Sequence, residues 1–131
     1  MNYSNQSEYS VAVLLITPEG IPLIRDPKKP APVYWKLPGG RSENDETAQE
    51  CAVRETKEEI GVDLDTKALK EIYSEDRGNH MLFIYQAKLK VLPTLKQKGN
   101  EGEEIKVFNQ KEILSLPDLF PNHKRVIQLV L

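Results

Sequence analysis

The stretch LPGGRSENDETAQECAVRETKEEIGV, residues 37–62, decides how the chain is read. Thr47-Ala48-Gln49-Glu50 has capping-box spacing, in which a Thr hydroxyl and a Glu carboxylate satisfy each other's backbone donors, so a helix is predicted to start at Ala48. Gly61 can take the left-handed cap conformation after Ile60, with Val62 supplying the apolar contact that accompanies such caps. On a 3.6-residue wheel Ala48, Ala52, Val53, Thr56 and Ile60 share one side, while Cys51, Glu55, Glu58 and Glu59 gather on the neighbouring side. Like charges three or four residues apart cost a helix about 0.2–0.5 kcal/mol per pair, so these glutamates call for a cationic partner.

Outward from the helix, YSVAVLLI, TPEG and IPLIR read as two strands joined by a tight turn. The connector DPKKPAPVYWKLPGG is too rich in proline for a helix or central strand and is expected to be an exposed loop, with a short extended piece near residues 33–37. Loops of that length in a small domain tend to be functional. ALKEIYSE and HMLFIYQAKLKVL look like strands around an Asp76-Arg77-Gly78-Asn79 turn, and EIKVF like one more. Asn109 to Glu112 repeats the capping spacing, and Pro121 suits the first position of a C-terminal helix. The expected class is α/β of the α+β type: a mixed sheet between helices.

The 131 residues are read as a single domain, 1–131, with 39% hydrophobic residues, enough for one compact core. The net charge of -2 provides no basic field for an extended nucleic acid, although mononucleotides and short oligonucleotides stay open. The lone Cys51 excludes an intrachain disulfide and suits a reducing compartment, so a cytoplasmic location is expected. VAVLLI, residues 11–16, is too short to span a bilayer and lacks the flanks of a signal peptide, so no membrane partner is expected. The polar start MNYSNQSE is expected to fray.

Clustered carboxylates are hard oxygen ligands that suit Mg²⁺ or Mn²⁺, ions that pair a few carboxylates with substrate phosphates. A divalent ion would neutralise the glutamates, polarise a phosphoryl oxygen and activate a water, and a remaining carboxylate would accept that water's proton. The plain alternative is a solvated acidic helix face.

Spacing separates the two. Gly40, five residues, Glu46, seven residues, then Arg54-Glu55-Thr56-Lys57-Glu58-Glu59-Ile60-Gly61-Val62 resembles the Nudix box Gx5Ex7REUxEExGU, where U is a bulky aliphatic residue. Eight of the nine defined positions match; Thr56 departs at the first U, where a modest packing change is expected. The resemblance implies the Nudix fold and a hydrolase that cuts a pyrophosphate bond in a nucleoside diphosphate linked to another moiety, using Mg²⁺ or Mn²⁺. It implies metal-binding and catalytic roles for Glu55, Glu58 and Glu59, a backbone ligand at Gly39, and a structural role for Gly40, Glu46, Arg54 and Gly61. A further catalytic and metal-binding glutamate from a late loop is assigned to Glu101, with Glu104 as second choice. Two other readings stand beside the enzyme: a non-catalytic nucleotide-sensing module of the same fold, and an RNA 5′-end pyrophosphohydrolase using Lys28, Lys29 and Lys36.

Arg25, Tyr34, Lys36 and Tyr85 are the expected substrate contacts: Arg25 as a cation at the end of the second strand, Tyr34 as a stacking ring, Lys36 as part of a basic patch, and Tyr85 as lining of a strand face. Trp35 is read as an anchor beneath the loop, His80 and His123 as surface or turn residues, and Cys51 as a packing residue. Motifs that mark NADH, coenzyme A or ADP-ribose substrates are not recognisable, and a monomer or homodimer is expected.

Overall fold

The computed structural model describes residues 8–43 and 45–131. Most of the N-terminal stretch expected to fray therefore lies outside the described residues. In chain order the elements are β1 (Tyr9–Ile16), β2 (Ile21–Arg25), β3 (Gly39–Arg41), α1 (Ala48–Ile60), a 3₁₀ turn (Thr66–Ala68), β4 (Lys70–Asp76), β5 (Met81–Lys88), β6 (Glu104–Phe108), α2 (Gln110–Leu114) and α3 (Pro121–Val130). No helix among the described residues is long and apolar enough to cross a membrane.

Four strands form a mixed sheet in the order β3-β1-β5-β4, with β1 and β5 parallel and the other pairs antiparallel. A strand flanked by layers on both faces reads as a near-continuous apolar run, which is what VAVLLI in β1 provides. Alternation along β1 divides the core in two. Ala12 and Leu14, with Leu82 and Ile84 of β5, face Ile113 of α2 and Val126 and Ile127 of α3. Val11, Val13 and Leu15, with Tyr85 and Ala87, face Ala48, Cys51, Ala52 and Ile60 of α1. The sheet is thus sandwiched between α1 and the C-terminal helices.

β2 does not pair along β1 as their proximity in sequence would invite. Thr17 and Gly20 close a turn that passes the chain out of the main sheet, and β2 forms a separate antiparallel pair with β6. Gly20 enables this with a φ of 134° and no room for a side chain: a Cβ there would lie 2.4 Å from the carbonyl oxygen of Phe108.

α1 ends where its capping residues require. Thr47 accepts from the Glu50 N–H at 3.1 Å, Glu50 accepts from the Thr47 N–H at 2.9 Å, and Gly61 turns left-handed at φ 79°. Thr56, the departure from the box pattern, is fully buried and donates its hydroxyl to the Ala52 carbonyl at 2.7 Å. That bond is local and satisfies a carbonyl already inside the helical ladder. Thr56→Val is therefore expected to change unfolding free energy by less than about 1 kcal/mol, as read from urea denaturation.

Candidate functional site

The cation that the glutamates call for is on their own helix. Arg54 donates from Nε to Glu46 Oε2 at 2.6 Å, and from Nη1 to Glu55 Oε1 at 2.9 Å and Glu58 Oε1 at 2.8 Å. Its Nη2 donates to the Arg41 carbonyl at 2.9 Å, tying the loop before the helix to the helix itself. Arg54 hydrogen bonding holds the Glu46 carboxyl below its usual range, and Glu46 in turn raises the Arg54 guanidinium still further.

Glu59 is outside that network. Its Oε1 accepts from the Gly39 N–H at 2.6 Å, across from β3. Burial pushes its carboxyl up to about 8; Glu55 and Glu103 push the same way, while the Gly39 N–H and the Lys36 charge oppose the shift. Burial also raises Glu55, against the pull of Arg54. The backbone must come close here. A Cβ on Gly39 would lie 1.9 Å from the Val11 carbonyl oxygen, and one on Gly40 would lie 2.5 Å from the Glu55 carboxyl carbon. Two glycines therefore let the carboxylates of α1 press against β3.

The donors of Glu55, Glu58, Glu59 and Glu103 are all carboxylate oxygens, the kind a hard divalent cation takes. Buried, mutually repelling carboxylates with a raised Glu59 are what such a charge would relieve, so the residues fit the ion by chemistry. As they stand, no three acidic, His or Cys side chains among the described residues converge to enclose one. Arg54 draws Glu55 and Glu58, and Gly39 holds Glu59.

Other expected contacts are placed differently. Glu101 is exposed: its carbonyl accepts from Lys28 Nζ at 3.2 Å, and its N–H donates to Glu103 at 2.9 Å. The acidic residue of this loop whose charge reaches Glu59 is the buried Glu103. Glu104 pairs instead with Arg25, its cross-strand neighbour, at 3.2 Å. Arg25 is further engaged by Asp118 at 3.6 Å and stacks 4.4 Å over the Trp35 ring, so it is tied into the structure rather than held free for phosphate. Opposite charges at the ends of IPLIR and EIKVF were the one signal that could have paired Arg25 with Glu104 and left Glu103 for the site.

Lys36 lines two cavities. One, of about 330 Å³, also involves Tyr34, whose ring meets Phe120 edge to face at 5.9 Å. The other, of about 490 Å³, runs along Leu37, Gly39, Gly40 and Leu82 to Phe120 and His123. Tyr85 belongs to neither. Alternation on β5 turns it to the α1 face, where it is buried and its hydroxyl is pushed up to about 12 by burial. Trp35 is buried against Phe108, an anchor as expected. Cys51 is also an interior packing residue, its thiol pushed up to about 12 by burial.

His80 lies in the β4–β5 turn, but the surface reading of His123 is corrected. α3 packs on the sheet and carries His123 inward, where Nδ1 accepts from the Leu37 N–H at 3.0 Å. That acceptor role leaves the proton on Nε2. Burial lowers the ring to about 4, with the charges of Lys36 and Arg77 adding to the effect. A folded-state value below the unfolded 6.5 means that the unfolded chain takes up the proton first, so stability is lost as pH falls from 6.5 toward 4. The expected loss between pH 7 and 5 is about 2 kcal/mol. Glu59 works in the opposite sense, since a raised carboxyl favours the folded state as pH falls. Comparing urea midpoints of the parent and His123→Gln across that range isolates the histidine: the variant should lose this acid dependence, and parallel profiles would contradict it.

The chain matches the NUDIX domain over residues 7–130. It is 32% identical over 109 residues to a protein of Methanocaldococcus jannaschii named ADP-ribose pyrophosphatase, covering 81% of this chain and 62% of that one. It thus spans less than two thirds of that relative's length. Among solved structures, a NUDIX family hydrolase from Clostridium perfringens superposes with a TM-score of 0.74 at 16% identity, covering 96% of this chain and 99% of the other. A bifunctional NMN adenylyltransferase/ADP-ribose pyrophosphatase from Francisella tularensis, complexed with AMP and a manganese ion, gives 0.72 at 19% identity, covering 96% and 41%. With the match running through nearly the whole chain and the box residues gathered as described, the chain belongs to the Nudix family.

Proposed function

We propose that this protein hydrolyses the pyrophosphate bond of a nucleoside diphosphate linked to another moiety, with Mg²⁺ or Mn²⁺ held by Glu55, Glu58 and Glu59. The observation that carries this is Glu59 and Glu55 pressed against Gly39 and Gly40, with Glu58 tied to Glu55 through Arg54, beside a cavity that has Lys36 on its wall. When bound, the ion supplies charge for the phosphate oxygens and lowers the pKa of water. The chain's own residues do the rest. Lys36 attracts the phosphates, Arg54 orients Glu55 and Glu58, and a glutamate takes the proton as water oxygen bonds to phosphorus and the bridging P–O bond breaks. We take Glu103 rather than Glu101 as the loop carboxylate of this site, on its burial and on its contribution to raising Glu59.

The related pyrophosphatase of M. jannaschii and the AMP- and manganese-bound structure from F. tularensis support the reaction class and the metal type. The test incubates the protein with Mg²⁺ and a panel of nucleoside triphosphates, nucleotide sugars, ADP-ribose and dinucleoside polyphosphates, resolving products by chromatography. Mononucleotide release that stops with EDTA and returns with Mg²⁺ is expected. Nucleotide binding without any turnover would replace the enzyme with a sensing module.

A further inference from the structure

The 490 Å³ cavity runs along Gly39 and Gly40, the same glycines that Glu59 and Glu55 approach, and the cavity's formal charges are all of one sign. Lys36, Arg41 and Arg77 line it, and no carboxylate does. Ion pairs among the described residues involve Arg25, Arg54, Lys57, Arg77 and Arg125, and neither Lys36 nor Arg41. Residues 1–7 and Asn44, outside the description, include no Asp or Glu. Arg77 is 3.5 Å from Glu75, but Glu75 is shared with Arg125 at 3.6 Å and with the Tyr73 hydroxyl. The cavity therefore carries uncompensated positive charge.

The cations fall into two places. Lys36 lies on the cavity wall three residues before Gly39, whose N–H binds Glu59, and so stands toward the glutamates. Arg41 ends β3, and the register places it beside Ser10, which pairs on its other side with Leu82 of β5. The β4–β5 turn, with Arg77 and His80, meets the same end of the sheet, and both Arg41 and Arg77 lower the His80 ring after burial has done so. Between these ends the wall is apolar or aromatic: Leu37, Leu82 and Phe120, with the His123 ring 5.0 Å from Phe120. A pyrophosphate at the glutamates engages Lys36 and leaves, at the far end, Arg41 outside any ion pair among the described residues and Arg77 sharing Glu75 with Arg125.

The geometry points to a substrate that carries, in addition to its pyrophosphate, a phosphomonoester on the part seated in this cavity, read by Arg41 and Arg77. Two guanidinium forks suit a dianionic phosphate better than a carboxylate, which carries half the charge and one fewer oxygen. This inference rests on the pyrophosphate reading of the site and refines it to a phosphorylated substrate class.

Matched compounds that differ only by the phosphomonoester test it: NADP⁺ against NAD⁺, and coenzyme A against dephospho-coenzyme A, with Mg²⁺ present. In at least one pair kcat/KM is expected to favour the phosphorylated member by about tenfold or more, with the advantage shrinking as salt rises. Arg41→Ala/Arg77→Ala should bring that pair to within about twofold, while the Lys/Lys variant restores part of the preference. Both arginines are exposed, and the bond from Arg54 uses the Arg41 backbone, so the fold should tolerate these changes. Calorimetric titration with adenosine 2′,5′- and 3′,5′-bisphosphates against AMP asks the same question without turnover. If nothing is hydrolysed yet a bisphosphate binds about tenfold tighter, the catalytic reading fails and the anion site stands. Equal kcat/KM within both pairs and equal binding of bisphosphates and AMP, or a preference that survives in the Ala/Ala variant, overturns the site.

Discussion

Glu58→Gln is expected to reduce Mg²⁺-dependent hydrolysis by at least about 10²-fold while the thermal midpoint stays within about 2 °C of the parent. Of the three box glutamates Glu58 is the one best suited to this test. Its side chain is 36% exposed, against 15% for Glu55, and Glu59 is buried enough for its carboxyl to reach about 8. A glutamine keeps an oxygen that can accept from Arg54 Nη1 at the present position, so the local hydrogen bond survives. What disappears is one unit of negative charge where a divalent cation and an attacking water would need it. Initial rates on whichever nucleotide the parent hydrolyses, together with a melting curve, check both halves. Parent-like turnover in the variant would remove Glu58 from the site.

Arg54→Ala is expected to be the most destabilising change near the site, lowering the unfolding free energy by about 3 kcal/mol and the thermal midpoint by about 10 °C. One guanidinium holds Glu46, Glu55 and Glu58 as well as the Arg41 carbonyl. Glu46 and Glu55 keep only 14% and 15% of their side chains exposed, so its removal leaves two poorly hydrated carboxylates near each other without a counter-charge. Arg54→Lys should recover only part of the loss, because a single ammonium cannot reproduce a fork that reaches four acceptors. Urea denaturation of the three proteins at neutral pH decides it. Equal midpoints would mean that the network adds nothing to stability.

α1 was legible to the residue because its determinants are local. Thr47, Glu50 and Gly61 satisfy backbone groups within a turn of themselves, and the apolar spacing chooses the packing face. The wheel put Cys51 with the glutamates, yet it lies wholly inside, in one cluster with Ala48, Ala52 and the β1 residues, so the buried stripe of α1 is wider than the wheel's apolar side. Strand pairing was much less legible. Residues 9–25 read as two strands joined by a tight turn, with no indication of their partners, and only the position of β6 shows why β2 leaves the main sheet. β3 is three residues long with two glycines, so it carries no periodic signal at all. Around the candidate site, the grouping of Glu55, Glu58 and Glu59 on one helix was readable from spacing, whereas Glu103 and His123 acquire their positions from tertiary packing of a loop and a helix that local patterns do not orient.

The parallel pairing of β1 with β5 bears on how the chain is made. Tyr9 aligns with Met81 and Ile16 with Lys88, so the strand synthesised first waits for a partner that is translated only after all of α1. Until then VAVLLI has no charge, no proline and one edge with no partner, the features that let strands from different nascent chains join. A chain cut before Met81 would leave that strand permanently without β5 and should accumulate as insoluble aggregate, whereas the full chain buries five of those six residues, Val11 to Leu15, inside its sheet.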